Sequence, residues 1–212
     1  MHILIYSSSK FTFFLLLLLS LPIMLETQQI LTLWLKTVPE YSVSFIRVIL
    51  CITIVDSMAY PLMVAADATG RIKLFQSVIG GLLLTVLPFS YVALKLGGSP
   101  TSVFVVHLCI CIIAYIVRII FMRSMISLKI LEFIKKVILR CVLVGMLSPI
   151  MPLIAYYNLP DSISSFFIVC MICILSVGFF VTAVGMTHDE RLFVWDKIKR
   201  LPIIILNKKN HA

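Results

Sequence analysis

An all-α, multispanning transmembrane helix bundle is the fold class this sequence predicts, on three observations. Of the 212 residues, 61% are hydrophobic and 13% are charged, which is more apolar surface than one soluble core of this size hides. The apolar residues gather in about six blocks, each near the roughly 20 residues a helix needs to cross hydrocarbon. The 18 Lys and Arg, against 9 Asp and Glu, lie in short tracts between those blocks. A basic excess spread in this way points to anionic membrane lipids as partners and away from nucleic acid.

The spans are expected at about 11–31, 43–66, 74–95, 101–122, 137–157 and 163–185. Lys10 followed by "FTFFLLLLLSLP" has the charged start and apolar run of a secretory signal. No A-x-A-like cleavage site follows, so the first span is read as an uncleaved helix, cut short by Glu26, Gln28 and Gln29. The second span carries Arg47 near its start, Asp56 near its midpoint and Pro61. In the third, Ser77, Gly81 and Thr85 recur at i,i+4 spacing, a small-residue face suited to close helix contact. The fourth holds His107 and Arg118, the fifth the Pro149/Pro152 pair.

Two segments between or after the spans read as cytoplasmic amphipathic helices. In "RSMISLKILEFIKKVILR", Ile126, Ile130, Ile134 and Ile138 form an apolar stripe, with Lys129, Glu132 and Lys136 on the other face. Such a helix is expected to lie flat on the bilayer before turning into the fifth span. Residues 1–186 then make the transmembrane bundle and 187–212 a basic cytoplasmic tail. That tail opens with "THDE", a capping box with Thr187 at the N-cap and Glu190 at N3. Leu192, Trp195 and Ile198 follow as a short apolar face, and Pro202 ends the helix.

If six spans alternate, most Lys and Arg fall on one side, with only Lys36 and Lys95 in the opposite loops. Both termini are therefore expected in the cytoplasm. All six cysteines lie in apolar runs, where Cys serves as a small hydrophobe. Cys170 and Cys173 lack the flanking ligands of a metal knuckle. There is no P-loop, no H-E-x-x-H, no Gly-rich phosphate turn and no Ser/His/Asp constellation. With opposite-side loops of only a few residues, the reading is a chain with no enzyme activity, cofactor or metal.

The remaining chemistry lies inside the spans. A charge at the bilayer centre costs about 2.5–3.5 kcal/mol on insertion scales, so it normally faces protein or a wet cavity. Asp56 is too deep to snorkel; it is either a proton, cation or polar-cargo site, or a hydrogen-bonded structural acid. Arg47, nine residues earlier, lies about 13 Å away on the opposite side of the same helix, so the two cannot pair within it. Arg47 and Arg118, each near a span end, are expected to snorkel. His107 is expected to be a hydrogen-bonded structural residue with a functional role as the lesser reading. By depth, Glu26, Arg47 and His107 belong to one leaflet, with Asp56 beneath. Convergence of these groups would line an outward-opening polar cleft. Pro22, Pro61, Pro88 and Pro149/Pro152 free backbone carbonyls, a pattern frequent in transporters and equally compatible with ordinary kinks.

The succession "ILTLWLKTVPEY", "ATGRIK" and the Pro88 helix ending in "LKLGG", within a stretch from about Tyr6 to Arg200, resembles the later helices of bacterial polysaccharide (O-antigen type) flippases. These are relatives of the multidrug and lipid-linked oligosaccharide exporters. The resemblance implies an inner-membrane protein that carries undecaprenyl-pyrophosphate-linked sugars by rocking two lobes around a cationic cavity. By that analogy Arg47 and Arg118 become cavity candidates and Asp56 a coupling or gating residue. The match covers only the last six or so helices, so the resemblance also implies a missing N-terminal half, whether as a fragment or a split partner. The competing readings are a membrane enzyme of polysaccharide assembly, a polymerase or glycosyltransferase, and an inert truncated or scaffolding protein.

Overall fold

Apolar runs of this length fold as helices because hydrocarbon offers no partner to a backbone N–H or C=O, which must then bond within the segment. The computed structural model describes residues 2–35, 37–70, 72–160, 162–187 and 190–191. Among them, six helical segments are long and apolar enough to span a bilayer: His2–Leu25, Ser42–Asp67, Ile72–Lys95, Thr101–Ile126, Ile130–Asn158 and Ser164–Gly185. The chain is a multi-pass, all-α membrane protein.

Its elements are α1 (His2–Leu25), α2 (Thr27–Trp34), α3 (Ser42–Asp67), α4 (Ile72–Leu84), α5 (Val86–Lys95), α6 (Thr101–Ile126), α7 (Ile130–Phe133), α8 (Leu139–Leu147), α9 (Ile150–Asn158) and α10 (Ile163–Phe180). π-helical turns at Ile134–Ile138 and Val181–Gly185 join α7 to α8 and end α10. The helices form two groups: α3, α4–α5 and α6 in one, α1, α7–α9 and α10 in the other. The packing of α1 on α3 joins them. Phe45 and Phe104 meet at 4.9 Å between ring centroids near the starts of α3 and α6, and Asp56 meets Arg118 farther along; the two helices therefore run parallel. The core along their contact and along α1 includes Phe14, Leu17, Ala59, Leu62, Phe75, Met122, Phe133 and Val137.

Prolines account for the breaks. A proline withdraws the hydrogen bond to the carbonyl four residues earlier and its ring crowds that carbonyl. Pro88 thus acts on Leu84, where α4 ends, and Pro152 acts on Ser148, between α8 and α9. The freed Ser148 carbonyl is buried and accepts a hydrogen bond of 2.7 Å from the Ser176 hydroxyl of α10. The chain bends at Glu26, four residues after Pro22, before α2 begins.

Three expectations need correction. The first helix starts at His2, nine residues earlier than the apolar run, because Lys10 is a buried mid-helix residue and not a flank. Residues 123–140 are not one flat helix: 123–126 continue α6, Ser127 takes a left-handed conformation (φ 54°), and the helix from Ile130 runs unbroken into the fifth span. The inward seam there is Phe133, Val137, Cys141 and Val144, while Ile134 of the expected stripe is exposed. Lys129 and Lys136 do pair with Glu132, at 3.2 and 3.3 Å. The small stripe of the third span points outward: Ser77 and Gly81 are exposed, and Phe75 and Ile79 are the buried pair that faces the bundle. Cys111, Cys141 and Cys173 are core residues as expected, but Cys109 is exposed; all six cysteines are free thiols.

Candidate functional site

Helix α6 turns Cys111, Tyr115, Arg118 and Met122 to one buried face at the i,i+4,i+7,i+11 spacing of a helical seam. On α3, which packs against both α6 and α1, Met58, Ala59 and Leu62 are buried. At the edge of this seam Arg118 Nη1 lies 3.5 Å from Asp56 Oδ1, and the Cys111 thiol sits 4.0 Å from Oδ2. The guanidinium is enclosed, with 6% of its side chain exposed, whereas 48% of the Asp56 side chain is open.

Arg118 thus does not snorkel. The sequence placed it close to the end of its span, but α6 continues to Ile126, so about 12 Å of helix separates it from that end. A carboxylate within reach then makes burial cheaper than extension to the interface. The pair is incompletely satisfied: Arg118 Nε and the Tyr115 hydroxyl have no hydrogen-bond partner among the described residues.

The exposure of Asp56 is part of a longer feature. From Ile49 onward along α3 the exposed positions Ile49, Thr53, Asp56, Tyr60, Val64 and Asp67 fall within about 80° of one another on a helical wheel. Four of the six are polar, in a helix whose overall composition suits hydrocarbon. A face of this kind is costly against acyl chains and is at home against protein or water. Neither Arg47 nor His107 belongs to it. Arg47 donates from Nε to the Met24 carbonyl at 2.9 Å and from Nη2 to that of Leu25 at 3.5 Å, closing the C-terminal end of α1 where free carbonyls gather. His107 is half-buried on α6, eleven residues before Arg118. Glu26 is buried at the α1–α2 bend. Of the group expected above Asp56, Arg47 reaches the carbonyls of the two residues that precede Glu26. Asp56 itself gathers Arg118 and Cys111.

A second ion pair escaped the sequence reading. Lys10, 2% exposed, donates to both carboxylate oxygens of Glu190 at 2.7 and 2.6 Å, and Ser7 adds a bond of 2.8 Å. The capping box forms in full: the Thr187 amide donates to Glu190 Oε2 at 2.9 Å and the Glu190 amide to Thr187 Oγ1 at 3.4 Å. Burial pushes the Glu190 carboxyl upward, but the bonds from Lys10, Thr187 and Ser7 outweigh it and hold the pKa at about 2. The same corner is fixed by Arg140 donating to the Gly185 carbonyl at 3.4 Å and by Arg191 donating to the Thr182 and Ala183 carbonyls. Gly185 is required here, since a Cβ would fall 2.7 Å from the Phe14 ring. The available signal was the capping box itself, whose glutamate carries a second oxygen for a partner. The expected apolar face of Leu192, Trp195 and Ile198 and the stop at Pro202 lie outside the described residues.

Among the described residues no group of three His, Cys, Asp or Glu is placed to hold a metal ion. Comparison of the chain with protein-family models, with curated proteins and with solved structures yields no match.

Proposed function

We propose that this chain is the C-terminal portion of a flippase-type transporter that carries a lipid-linked oligosaccharide, an undecaprenyl-pyrophosphate sugar, across a bacterial inner membrane for polysaccharide biosynthesis. Both termini are cytoplasmic in this reading, and the chain performs no covalent chemistry. The observation that carries it is the polar face of α3, with a half-open carboxylate beside a buried guanidinium at mid-span. That face forms one wall of a polar pathway, and a separate N-terminal half supplies the other. Arg118 offers positive charge to the anionic pyrophosphate, while Asp56 releases the guanidinium by taking a proton or cation. The proline breaks in α4–α5 and α8–α9 supply flexible points for the rocking that alternating access requires.

The test is restoration of surface polysaccharide in a cell lacking its flippase, with the chain expressed alone and with a co-expressed N-terminal half. Export is expected only with the half present, and Asp56→Asn is expected to abolish it while membrane insertion stays normal. Normal export in that variant removes Asp56 from the mechanism. Cysteine labelling at 67–73 is expected from the cytoplasmic side, and labelling from outside inverts the topology.

A further inference from the structure

A cleft of about 480 Å³ opens between α2 and the α9–α10 corner, at the end of the bundle where α1 finishes and α3 and α6 begin. Its size is that of an ordinary small-ligand site. Gln28, Gln29 and Thr32 line one side; Tyr156, Phe166 and Phe167 line the other. The two glutamine amides make no side-chain hydrogen bond with any described residue. Each therefore presents a carbonyl acceptor and an NH2 donor to whatever enters. The Thr32 hydroxyl shares its one proton between the backbone carbonyls of Gln28 and Gln29, at 2.8 and 2.9 Å, which leaves its oxygen free to accept. Phe166 and Phe167 pack edge to face at 5.4 Å, so their rings offer differently oriented surfaces.

We propose that this cleft binds a neutral, hydroxyl-rich ligand, a short glycan. Vicinal hydroxyls are paired donors and acceptors that a side-chain amide matches on both atoms, and the C–H face of a pyranose packs on an aromatic ring. The described lining residues are all uncharged, and a neutral ligand matches them. The contrast lies at the opposite end of the molecule, where Arg123, Lys129 and Glu132 line a cleft at the α6–α7 turn. Interfacial aromatics are common in membrane proteins as belts; a belt does not need two adjacent unbonded amides facing it. The inference rests on the transport reading for its setting, in which the cleft holds the sugar portion of the cargo away from the Asp56–Arg118 pair. Its ligand class rests on the lining chemistry.

The experiment is saturation-transfer NMR on the full chain in lipid nanodiscs, with maltotriose, cellotriose and an N-acetylglucosamine trimer as neutral probes and trigalacturonate as the anionic one. At least one neutral probe is expected to receive saturation in preference to trigalacturonate. The Gln28→Leu, Gln29→Leu double variant is expected to weaken it about ten-fold, through loss of two or more hydrogen bonds. Phe167→Ala, at an exposed ring, is expected to weaken it about three-fold. Circular dichroism on each variant checks that helix content is retained. No transfer to any neutral probe, preference for trigalacturonate, or an undiminished signal in the double variant overturns the proposal. Asp56→Asn separates the two readings, because it is expected to bind the probe normally while failing in export. Probe binding with no export under any condition leaves the cleft standing and rejects the transport function.

Discussion

The Lys10–Glu190 and Arg118–Asp56 ion pairs each join distant segments of the chain, and they are built to opposite specifications. Lys10 is enclosed and Glu190 partly buried; they meet at 2.6 Å, and the carboxylate is also bonded by Ser7 and the Thr187 capping box. Arg118 and Asp56 meet at 3.5 Å with the carboxylate half open and the guanidinium Nε unbonded. Desolvating two charges is repaid only when geometry is close and the spare lone pairs and protons find partners. The first pair meets that condition and fixes the Thr187–Glu190 capping box, beyond the π-helical turn that ends α10, against α1. The second does not, and it keeps capacity for another ligand, proton or helix. The difference teaches that intramembrane charge alone does not mark function; unspent bonding capacity on a polar face is the more telling sign.

The largest expected effect comes from breaking the satisfied pair on one side. Lys10→Met takes the counter-charge from the partly buried Glu190 carboxylate, and a loss of about 2–3 kcal/mol is expected in unfolding measured in mixed micelles. The double variant Lys10→Met, Glu190→Met should recover most of that loss, since an apolar pair of similar volume needs no compensation. Failure to recover would mean that the carboxylate matters mainly through the capping box.

Acidification addresses the same pair. The folded carboxyl has a pKa of about 2 against an ordinary 4.5. Its stabilisation is therefore complete above about 4.5 and lost as pH falls toward 2. Melting temperature followed from pH 7 to pH 2 should fall in that window, and the double variant should flatten the fall.

Next in size is Ser176→Ala, which leaves the buried Ser148 carbonyl without its donor. A loss of about 1–2 kcal/mol is expected in the same unfolding measurement. Smallest for stability is Asp56→Asn, which keeps an acceptor for Arg118 at a half-open position; a change within about 1 kcal/mol is expected. A stability loss comparable to that of Lys10→Met would erase the contrast between the pairs and make Asp56 a structural acid.

The helical breaks were legible in part. Prolines named the positions, and the break at Leu84, four residues before Pro88, follows from the ring's clash with that carbonyl. The partner that satisfies Ser148 was not legible, because Ser176 lies 28 residues away on another helix. The start of α1 was misplaced for a related reason: Lys10 reads as a helix flank until Glu190, 180 residues later, is brought against it.

Composition and block length by themselves determined a helical membrane protein with six spans among the described residues, because hydrocarbon leaves the backbone no alternative and about 20 apolar residues is a length any reader can count. The capping box at Thr187 was equally local and equally readable. Which charges meet was decided only by tertiary structure. Asp56 and Arg118 are 62 positions apart, and their pairing depends on the rotation and offset of two helices whose apolar surfaces constrain neither.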